Sequence, residues 1–457
     1  MNKSLKIKGQ WWLPNNPENK VFGTLEYSQS GSSKLELFGS LQLTAEYILI
    51  VGESSNGDKY TLNDCHVNYF QTGTSGFSTV VYSVAEIFEN VHFKSPDEIA
   101  FQAISVQYTN TTEWSRLSAL NIEQEFFEAK FSLNFSLPEP KTVQFETGSK
   151  LSLELYSRYP QILREVSSKI EIEQIPVFTF SFSRTKNFEE LQLKYIRHLQ
   201  NLLTLAITRP VSVEFIIGHL ENPGFNSKPI KPSRPVNIYL DRKNNFENDR
   251  EVIFQNMLFT FPAVEKEWKS LLSNWFKKRV RLKPIVTLYF STLYNSYLYM
   301  ENNFLSLVQA VESYHRRTFE TKEFKEEEKE TLIKQVLNAV DSKYHEVITR
   351  KLNYIHEPSL RSRLKKIFDA HRSVLDKYIR RKQFCDKTYD ARNYYTHYDK
   401  DLKEQVDKID IIDLINKLEI VIEVCLLKEL GFSLKEIEEC LQNHSDHKIR
   451  MKRKEST

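Results

Sequence analysis

The sequence predicts a multidomain α+β protein, with a mainly antiparallel β N-terminal half and an all-α helical bundle at the C-terminus. Residues 1–148 carry short alternating runs rich in Val, Ile, Phe, Tyr and Thr, which are typical of half-buried strands. From about residue 263 to the end, apolar residues recur at the three- and four-residue spacing of amphipathic helices. At 457 residues the chain is also too long for one hydrophobic core. We therefore expect three domains, over residues 1–148, 149–262 and 263–457.

The first domain is predicted to be a β-sandwich or a barrel. Its clearest strand patterns cover residues 21–27, 34–38, 47–51 and 99–108. Clusters of Gly, Ser, Asn and Asp at residues 30–33, 54–58 and 73–76 indicate turns between strands. We interpret Trp11 and Trp12 as packing residues rather than as a ligand platform, because indole rings contribute most when they are buried.

The second domain is predicted to be an α+β lobe packed on the first. Strand patterns cover residues 150–156, 170–183, 211–217 and 236–240. They are interrupted by an amphipathic helix predicted over residues 187–208, which ends before Pro210.

The helical part is predicted to contain one buried helix over residues 302–318, a polar helix over 322–341 and a helix over 380–398. The longest apolar stripe follows, from Ile409 to Leu426, and Gly431 is placed to end its helix in a left-handed conformation. Ser433 and Glu436 have the spacing of a capping box that begins a last short helix. The basic residues 448–454 form a tail that we expect to be disordered.

Composition narrows the class of protein. The four cysteines, at 65, 385, 425 and 440, form no CxxC pair, so we expect neither a disulfide framework nor a metal site, and we expect a reducing cytoplasm. We find no secretory signal and no run of 18 apolar residues, which argues against a membrane protein. No motif for a cofactor is present.

Charge is distributed unevenly. The net charge of +3 combines about −4 over residues 1–262 with about +7 over the remainder. The basic excess is sharpest over residues 361–392, with eleven basic side chains against four acidic ones. This indicates a polyanionic partner for the C-terminal part, although a solvated helix face explains any single lysine equally well.

One candidate catalytic stretch lies in the third predicted helix, Arg392-Asn393-Tyr394-Tyr395-Thr396-His397. A helix turns about 100° per residue, so Asn393 and His397 lie about 40° apart on one face, with Arg392 to the side. A histidine transfers protons near neutral pH, an arginine binds a phosphate through parallel donors, and an amide can orient the ring. These side chains suit phosphodiester chemistry without a metal.

The stretch resembles the Arg-x(4–6)-His motif of HEPN-domain ribonucleases, in which a polar residue typically follows the arginine. By itself the motif is weak, since one or two matches are expected by chance in a chain with eleven histidines. A second match, Arg350 to His356, has Lys351 after the arginine and Pro358 shortly after the histidine. We interpret the second match as a coincidence.

Further stretches extend the resemblance over nearly the whole chain. Residues 307–316 look like the opening helix of the HEPN family, and the candidate motif lies late in the helical part, as it does in that family. Four stretches of the first half resemble the N-terminal domain of ApeA-type anti-phage proteins: residues 9–14, 21–25, 61–65 and 93–114. The chain is thus similar to ApeA-like proteins with a C-terminal HEPN ribonuclease domain.

The resemblance implies metal-independent RNA cleavage. His397 would remove the proton from a ribose 2′-OH, which attacks the adjacent phosphate, while Arg392 stabilises the developing charge and Asn393 orients the imidazole or contacts the phosphate. One motif supplies a single histidine, so we expect a homodimer or a higher even oligomer through the helical domain, in which two motif helices form one composite site. Residues predicted to contact substrate are Tyr395, Tyr398, Arg380, Arg381 and Glu312.

The implied biological role is abortive infection, in which a phage-derived trigger acts on the N-terminal half and the nuclease then cleaves host RNA, including tRNA as a candidate. Two alternatives remain open. In the first alternative, the helical domain is a non-catalytic module that binds RNA or protein. In the second, the β half binds a ligand and the helices serve only for dimerisation. If the wild type and His397→Ala bind RNA alike and neither cuts it, the first alternative holds. If toxicity on overexpression survives His397→Ala but is lost on deletion of residues 1–150, the second holds.

Overall fold

The computed structural model describes residues 4–28, 32–41, 46–72, 78–125, 130–158, 171–220, 235–241, 252–295, 297–319, 325–398 and 400–444. The contacts divide the chain into two compact units, Met1–Lys269 and Ser270–Thr457. The predicted tail at 448–454, the turn at 73–76 and residues 30 and 31 lie outside the described residues. The antiparallel β-rich first half and the helical second half agree with the predicted fold class.

The first unit is built mainly from strands. Those predicted over 34–38 and 236–240 are found with the same bounds, and the others differ at their ends by one to five residues. The strands are β1 (Ser4–Leu13), β2 (Asn16–Ser28), β3 (Lys34–Phe38), β4 (Ile48–Ser54), β5 (Lys59–Thr72), β6 (Ser78–Glu89), β7 (Ala100–Tyr108), β8 (Leu120–Glu125), β9 (Lys130–Phe135), β10 (Lys141–Glu146), β11 (Ser149–Arg158), β12 (Glu173–Asn187), β13 (Val213–His219) and β14 (Val236–Leu240).

Strands β1 to β6 close into an antiparallel barrel. Neighbouring strands follow the order β6-β3-β2-β1-β4-β5, and β5 pairs back onto β6 over most of its length. Alternate side chains fill the interior, where Trp11 is fully buried. Gly52 makes room for that indole, because a Cβ atom at this position would lie 2.1 Å from Cε3 of Trp11. The prediction that both tryptophans pack is consistent with the burial of Trp11 and Trp12.

The remaining strands of the large sheet continue from the barrel, in the order β14, β13, β7, β12, β11 and β10. The predicted boundary at 148/149 falls inside a hairpin, since Glu146 of β10 pairs with Ser149 of β11 across Gly148, which has a φ of 71°. The first 269 residues therefore form one unit, not the two predicted domains. The two predicted domains are joined by hydrogen bonds between strands that are distant in sequence, such as β7 and β12.

A helical segment packs on this sheet where an amphipathic helix was predicted. It comprises α2 (Phe188–Leu191), one wider turn (Gln192–Ile196) and α3 (Arg197–Ile207). The short helix α1 (Thr111–Ser115) lies earlier in the chain, between β7 and β8. Asn187 caps the helical segment by accepting a hydrogen bond from the backbone N–H of Glu189 at 2.9 Å. The ring of Tyr195 lies 4.8 Å from that of Phe182 on β12, so the helix buries its apolar face against the sheet.

Helices begin again after the last strand. They are α4 (Phe261–Val264), α5 (Trp268–Lys277), α6 (Arg279–Tyr294), α7 (Met300–Thr318), α8 (Glu326–Asn338), α9 (His345–Leu352), α10 (Leu360–Ala370), α11 (Arg372–Leu375), α12 (Arg381–His397), α13 (Lys403–Val406), α14 (Ile411–Leu430) and α15 (Leu434–Asn443). The chain passes from one unit to the other within α5, seven residues after the predicted boundary at 262/263.

The second unit is a helical bundle centred on α7 and α14. Helix α7 packs against α6, α10, α12 and α14. Helix α14 ends at Gly431, which has a φ of 113°, and Ser433 and Glu436 form the capping box of α15. Both local signals are therefore found where the sequence predicts them. In the described part of the chain, no helix is both long and apolar enough to span a membrane.

Candidate functional site

The six candidate residues occupy the last turns of α12. His397 is the final helical residue and is exposed, whereas Arg392 and Asn393 are half-buried. The helix ends because Tyr398 adopts a left-handed conformation with a φ of 51°. The motif histidine is thus presented at a helix terminus, where solvent and a substrate can reach it.

A hydrogen bond links the first two motif residues. Nη1 of Arg392 donates to Oδ1 of Asn393 at 3.2 Å. Asn393 shares a helix face with His397, whereas Arg392 lies about 140° around the helix from His397. The bond therefore joins the guanidinium to a residue on the face that carries the imidazole. Among the described residues, the contact seen for the Arg392 guanidinium is this bond to a neutral amide rather than an ion pair with a carboxylate. Asn393 is predicted to orient the imidazole of His397. Among the described residues, no hydrogen bond between these two side chains is seen.

Helix α12 is held by ion pairs to α10, which the sequence analysis did not identify. Arg361 lies 2.9 Å from Asp386 and 3.7 Å from Asp390, measured between nitrogen and carboxylate oxygen. Its guanidinium also lies 4.6 Å from the centre of the Tyr389 ring. No signal in the sequence could reveal these pairs, because α10 and α12 are joined only by tertiary packing.

Three aromatic rings connect the bundle core to the motif. The ring of Tyr395 lies 5.9 Å from that of Phe304 on α7, and 5.2 Å from that of Tyr394. Tyr394 in turn contacts Tyr398 at 5.7 Å. Burial, together with the nearby Glu301, raises the pKa of Tyr395. Tyr395 is therefore an anchored residue, whereas Tyr398, at 64% exposure, offers an open ring beside His397.

The other predicted substrate contacts lie farther from the motif. Arg380 and Arg381 are at the opposite end of α12, and sixteen residues of helix place Arg381 about 24 Å from His397 along the axis. Arg381 is also paired with Asp369 at 2.7 Å. Glu312 is half-buried on α7, about 12 Å of helical rise beyond Phe304, and no contact with the motif is seen among the described residues.

The second sequence match is separated by the fold. Arg350 is exposed near the end of α9, whereas His356 lies in the turn that follows the helix. The two side chains therefore do not share a helix face as Asn393 and His397 do. This placement agrees with the interpretation of the second match as a coincidence.

A buried polar cluster lies elsewhere in the bundle. Nη1 of Arg363 lies 3.3 Å from Nδ1 of the fully buried His315, and Nη2 of Arg363 lies 3.2 Å from a Glu357 oxygen. Burial, reinforced by the charge of Arg363, lowers the pKa of His315 to about 4. This histidine stays neutral near pH 7 and is a structural residue. Among the described residues, no cluster of His, Cys, Asp and Glu could hold a metal ion.

Fold and site together define a protein with a β-barrel-containing N-terminal unit and a C-terminal HEPN-type helical domain. Comparison with protein families agrees with that class: the family ApeA N-terminal domain 1 matches residues 6–275, and the family Apea-like HEPN matches residues 305–436. The chain belongs to the ApeA family. The second match contains the whole motif from Arg392 to His397. No curated protein and no solved structure matches the chain.

Proposed function

We propose that this chain is a metal-independent HEPN endoribonuclease of anti-phage defence. An Apea-like HEPN domain fits a nuclease in such defence, and domains of this kind are typically ribonucleases. The observation that supports the proposal most strongly is the arrangement on the last turns of α12. There an exposed imidazole lies one turn after an amide that holds a guanidinium.

The proposed reaction is an internal transfer within RNA. His397 accepts the proton of a ribose 2′-OH, and the O2′ atom attacks the adjacent phosphorus as the P–O5′ bond breaks. The products are a 2′,3′-cyclic phosphate and a 5′-hydroxyl end. Arg392 donates to the non-bridging oxygens as their charge grows, and the amide NH₂ of Asn393 is a further donor to the same phosphate. DNA is inert by this route because it lacks the 2′-OH.

The leaving O5′ atom needs a proton, and one motif provides only one histidine. We infer that a second copy of the chain supplies it, so that two α12 helices meet at a two-fold axis and both His397 side chains serve one linkage. The exposed position of His397 at the helix terminus is compatible with such a meeting.

The tyrosines divide into two roles in this proposal. Tyr395 supports the motif through its contact with Phe304, and its half-buried ring is less accessible to a base than that of Tyr398. Tyr398 is the residue proposed to stack on an unpaired base next to the scissile linkage. Arg380 and Glu312 remain proposals for contacts with more distant parts of an RNA, of which tRNA is a candidate.

In the cell, the N-terminal unit would respond to a phage-derived trigger and release the nuclease. The membership of residues 6–275 in the ApeA N-terminal family supports a shared regulatory role for this unit. Host RNA cleavage would then stop translation before the phage completes its cycle.

The central test is cleavage of total RNA and of tRNA by purified protein in EDTA, with the new ends identified chemically. We expect cyclic phosphates from the wild type and none from Arg392→Ala or His397→Ala. The chain offers matched controls in Arg350→Ala and His356→Ala, the second sequence match, which should cut like the wild type. If all four variants and the wild type bind RNA equally and none cuts, also with phage lysate added, the domain is a binding module.

The composite site is tested by mixing subunits. Wild-type and His397→Ala chains are denatured and refolded together in varied ratios, and the cleavage rate is measured at constant total protein. If one site needs both histidines, only dimers of two wild-type chains are active. The rate is then proportional to the square of the wild-type fraction, so an equal mixture keeps about a quarter of it. A linear dependence would show that each subunit cuts alone.

A further inference from the structure

Two helices of the second unit, α8 and α9, bury none of their described side chains. They have 13 and 8 residues, and every described side chain from Lys325 to Glu357 is partly or fully exposed. Helix α10 is also short, at 11 residues, but it buries five side chains. Helices of this length are marginal in water unless packing against other elements stabilises them. We call residues 325–357 the α8–α9 arm.

The arm has apolar side chains that its own packing covers only in part. A short connection, residues 339–344, turns the chain from α8 into α9, and the two helices pack on each other as a helical hairpin. Yet Val347 is 47% exposed, and Tyr344 and Tyr354 are 52% and 70% exposed. An apolar surface of this extent usually marks a binding site for another molecule. The larger apolar side chains of the arm, all of them half-buried or exposed, are Leu332, Ile333, Val336, Leu337, Val340, Tyr344, Val347, Ile348, Leu352, Tyr354 and Ile355.

The charges of the arm argue against a strongly charged partner. The arm carries six Lys and Arg side chains against seven Asp and Glu, and one of the acidic residues, Glu357, is paired with Arg316 of α7 at 2.7 Å. The rest of the helical part holds the basic excess, above all over residues 361–392. A nucleic acid would gain more from that basic stretch than from the arm. The arm therefore fits a surface that is apolar and balanced in charge, as the arm itself is.

The arm rejoins the bundle beside the face of α12 that carries the motif. Arg361, four residues after the end of the arm, lies 2.9 Å from Asp386 and 3.7 Å from Asp390 of α12. Asp386 precedes Asn393 by seven residues, and Asp390 precedes His397 by seven, so all four lie on one side of the helix. The end of the arm is thus next to the side of α12 that is proposed to meet a second copy.

We propose that the α8–α9 arm is a dimerisation element that packs against the arm of a second copy. Two helical hairpins that bring their apolar faces together form a four-helix bundle. If the eleven apolar side chains each lose roughly 50 Å² of accessible surface, two arms bury on the order of 1,100 Å², which reaches the size of a specific interface. The choice of a second copy rests on the proposed function, because the composite site needs two chains with their α12 helices close together.

The test measures the molar mass of the full-length protein by sedimentation equilibrium, without RNA. We expect the wild type to be a dimer. Tyr344→Glu with Val347→Glu should raise the dissociation constant by about a hundredfold, because both copies then carry charges at the apolar contact. The matched control is Val280→Glu with Ile412→Glu, the same change at exposed apolar residues of α6 and α14, and it should leave the dissociation constant unaltered. Circular dichroism verifies that the helices of both double variants are kept.

Hydrogen exchange locates the contact on the chain. Exchange is measured by mass spectrometry at wild-type concentrations below and above the dissociation constant. Slower exchange of peptides from residues 325–357 in the dimer supports the proposal. A wild type that stays monomeric, unaltered association in Tyr344→Glu with Val347→Glu, or protection confined to residues outside the arm would each overturn it. The last two results would assign the dimer contact to another surface, such as α12.

Failure of the proposed nuclease is recognised separately, since neither measurement uses RNA. A protein that dimerises through its arms but cuts no RNA would support this inference and remove the nuclease. Loss of cleavage together with dimerisation in the arm variant would support both. Charged residues at the rim of an apolar contact, such as Arg350, contribute little to its stability, so Arg350→Ala remains a control for cleavage.

Discussion

Arg392 and Asn393 are adjacent in sequence and are joined by a hydrogen bond of 3.2 Å from Nη1 to Oδ1. The guanidinium is thereby held by a neutral acceptor. A carboxylate at this position would hold the guanidinium more tightly, but it would also neutralise the charge that the proposed reaction uses.

We therefore expect Asn393→Asp to lower kcat/KM for RNA more than Asn393→Ala does. Loss of this hydrogen bond to a neutral acceptor should lower the rate by about tenfold, whereas a competing ion pair at Arg392 should lower it by about a hundredfold. Initial rates on a defined RNA measure the difference, and thermal melting shows whether the fold is kept. Wild-type activity in Asn393→Asp would mean that Arg392 does not contact the phosphate.

Tyr398 combines an exposed ring with a left-handed backbone, a conformation that is unfavourable for a tyrosine. We expect Tyr398→Gly to raise stability by up to about 1 kcal/mol, because glycine adopts this φ without steric strain. The same change should raise KM for RNA by roughly tenfold or more through loss of stacking. Melting temperature and steady-state kinetics test both effects. A second variant, Tyr398→Phe, keeps the ring and should retain wild-type KM.

His315 should make the helical unit sensitive to acid. Its pKa of about 4 lies below the ordinary value near 6.5, so the unfolded chain binds more protons between these values. The stabilising contribution is present above pH 6.5 and is lost as the pH falls towards 4. Burial also lowers the pKa of His371, which adds to the loss in the same direction.

The corresponding variant is His315→Gln, whose side-chain oxygen can accept from Arg363 but does not titrate. We expect its melting temperature to fall less steeply than that of the wild type between pH 6.5 and pH 4. His66→Gln is the control, because His66 is exposed on β5. If the melting temperatures of the wild type and His315→Gln fall in parallel with pH, protonation of His315 does not govern acid unfolding.

Gly52 should tolerate no side chain. A Cβ atom there would lie 2.1 Å from the ring of Trp11, which fills the barrel interior. We expect Gly52→Ala to destabilise the N-terminal unit by about 3 kcal/mol or to prevent its folding. The free energy of unfolding is measured from tryptophan fluorescence during denaturation of the wild type and the variant.

Gly57 is the matched control for this prediction. Its φ of 83° disfavours alanine, but only the flexible side chain of Glu53 lies within 4 Å of an added Cβ. Gly57→Ala should therefore lose only about 1 kcal/mol. Equal effects in the two variants would contradict the packing explanation for Gly52.

Local signals in the sequence predict individual elements well. The predicted motif helix at 380–398 is found as Arg381–His397, and Gly431 and Ser433 mark the end of α14 and the start of α15. Each of these features depends on residues within one or two turns of one another. Short-range hydrogen bonding and helical periodicity are sufficient to specify them.

Long-range pairing is what the sequence does not reveal. The return of β5 onto β6 and the pairing of β7 with β12 depend on which strands meet, and strand composition alone does not determine this. For the same reason, the predicted boundary at 148/149 falls inside the β10–β11 hairpin. At the site, the pairing of Arg361 with Asp386 was missed because the two residues are brought together only by packing of α10 on α12.

Because His397 is the last residue of α12, insertions before and after it have different consequences. One residue inserted between Asn393 and His397 would rotate the imidazole by about 100° and separate the two side chains. Residues added after Tyr398, in contrast, would lengthen the connection to α13 and leave the spacing between Asn393 and His397 unaltered. Length changes within α12 would therefore alter the relative orientation of these two side chains, whereas additions after Tyr398 would not.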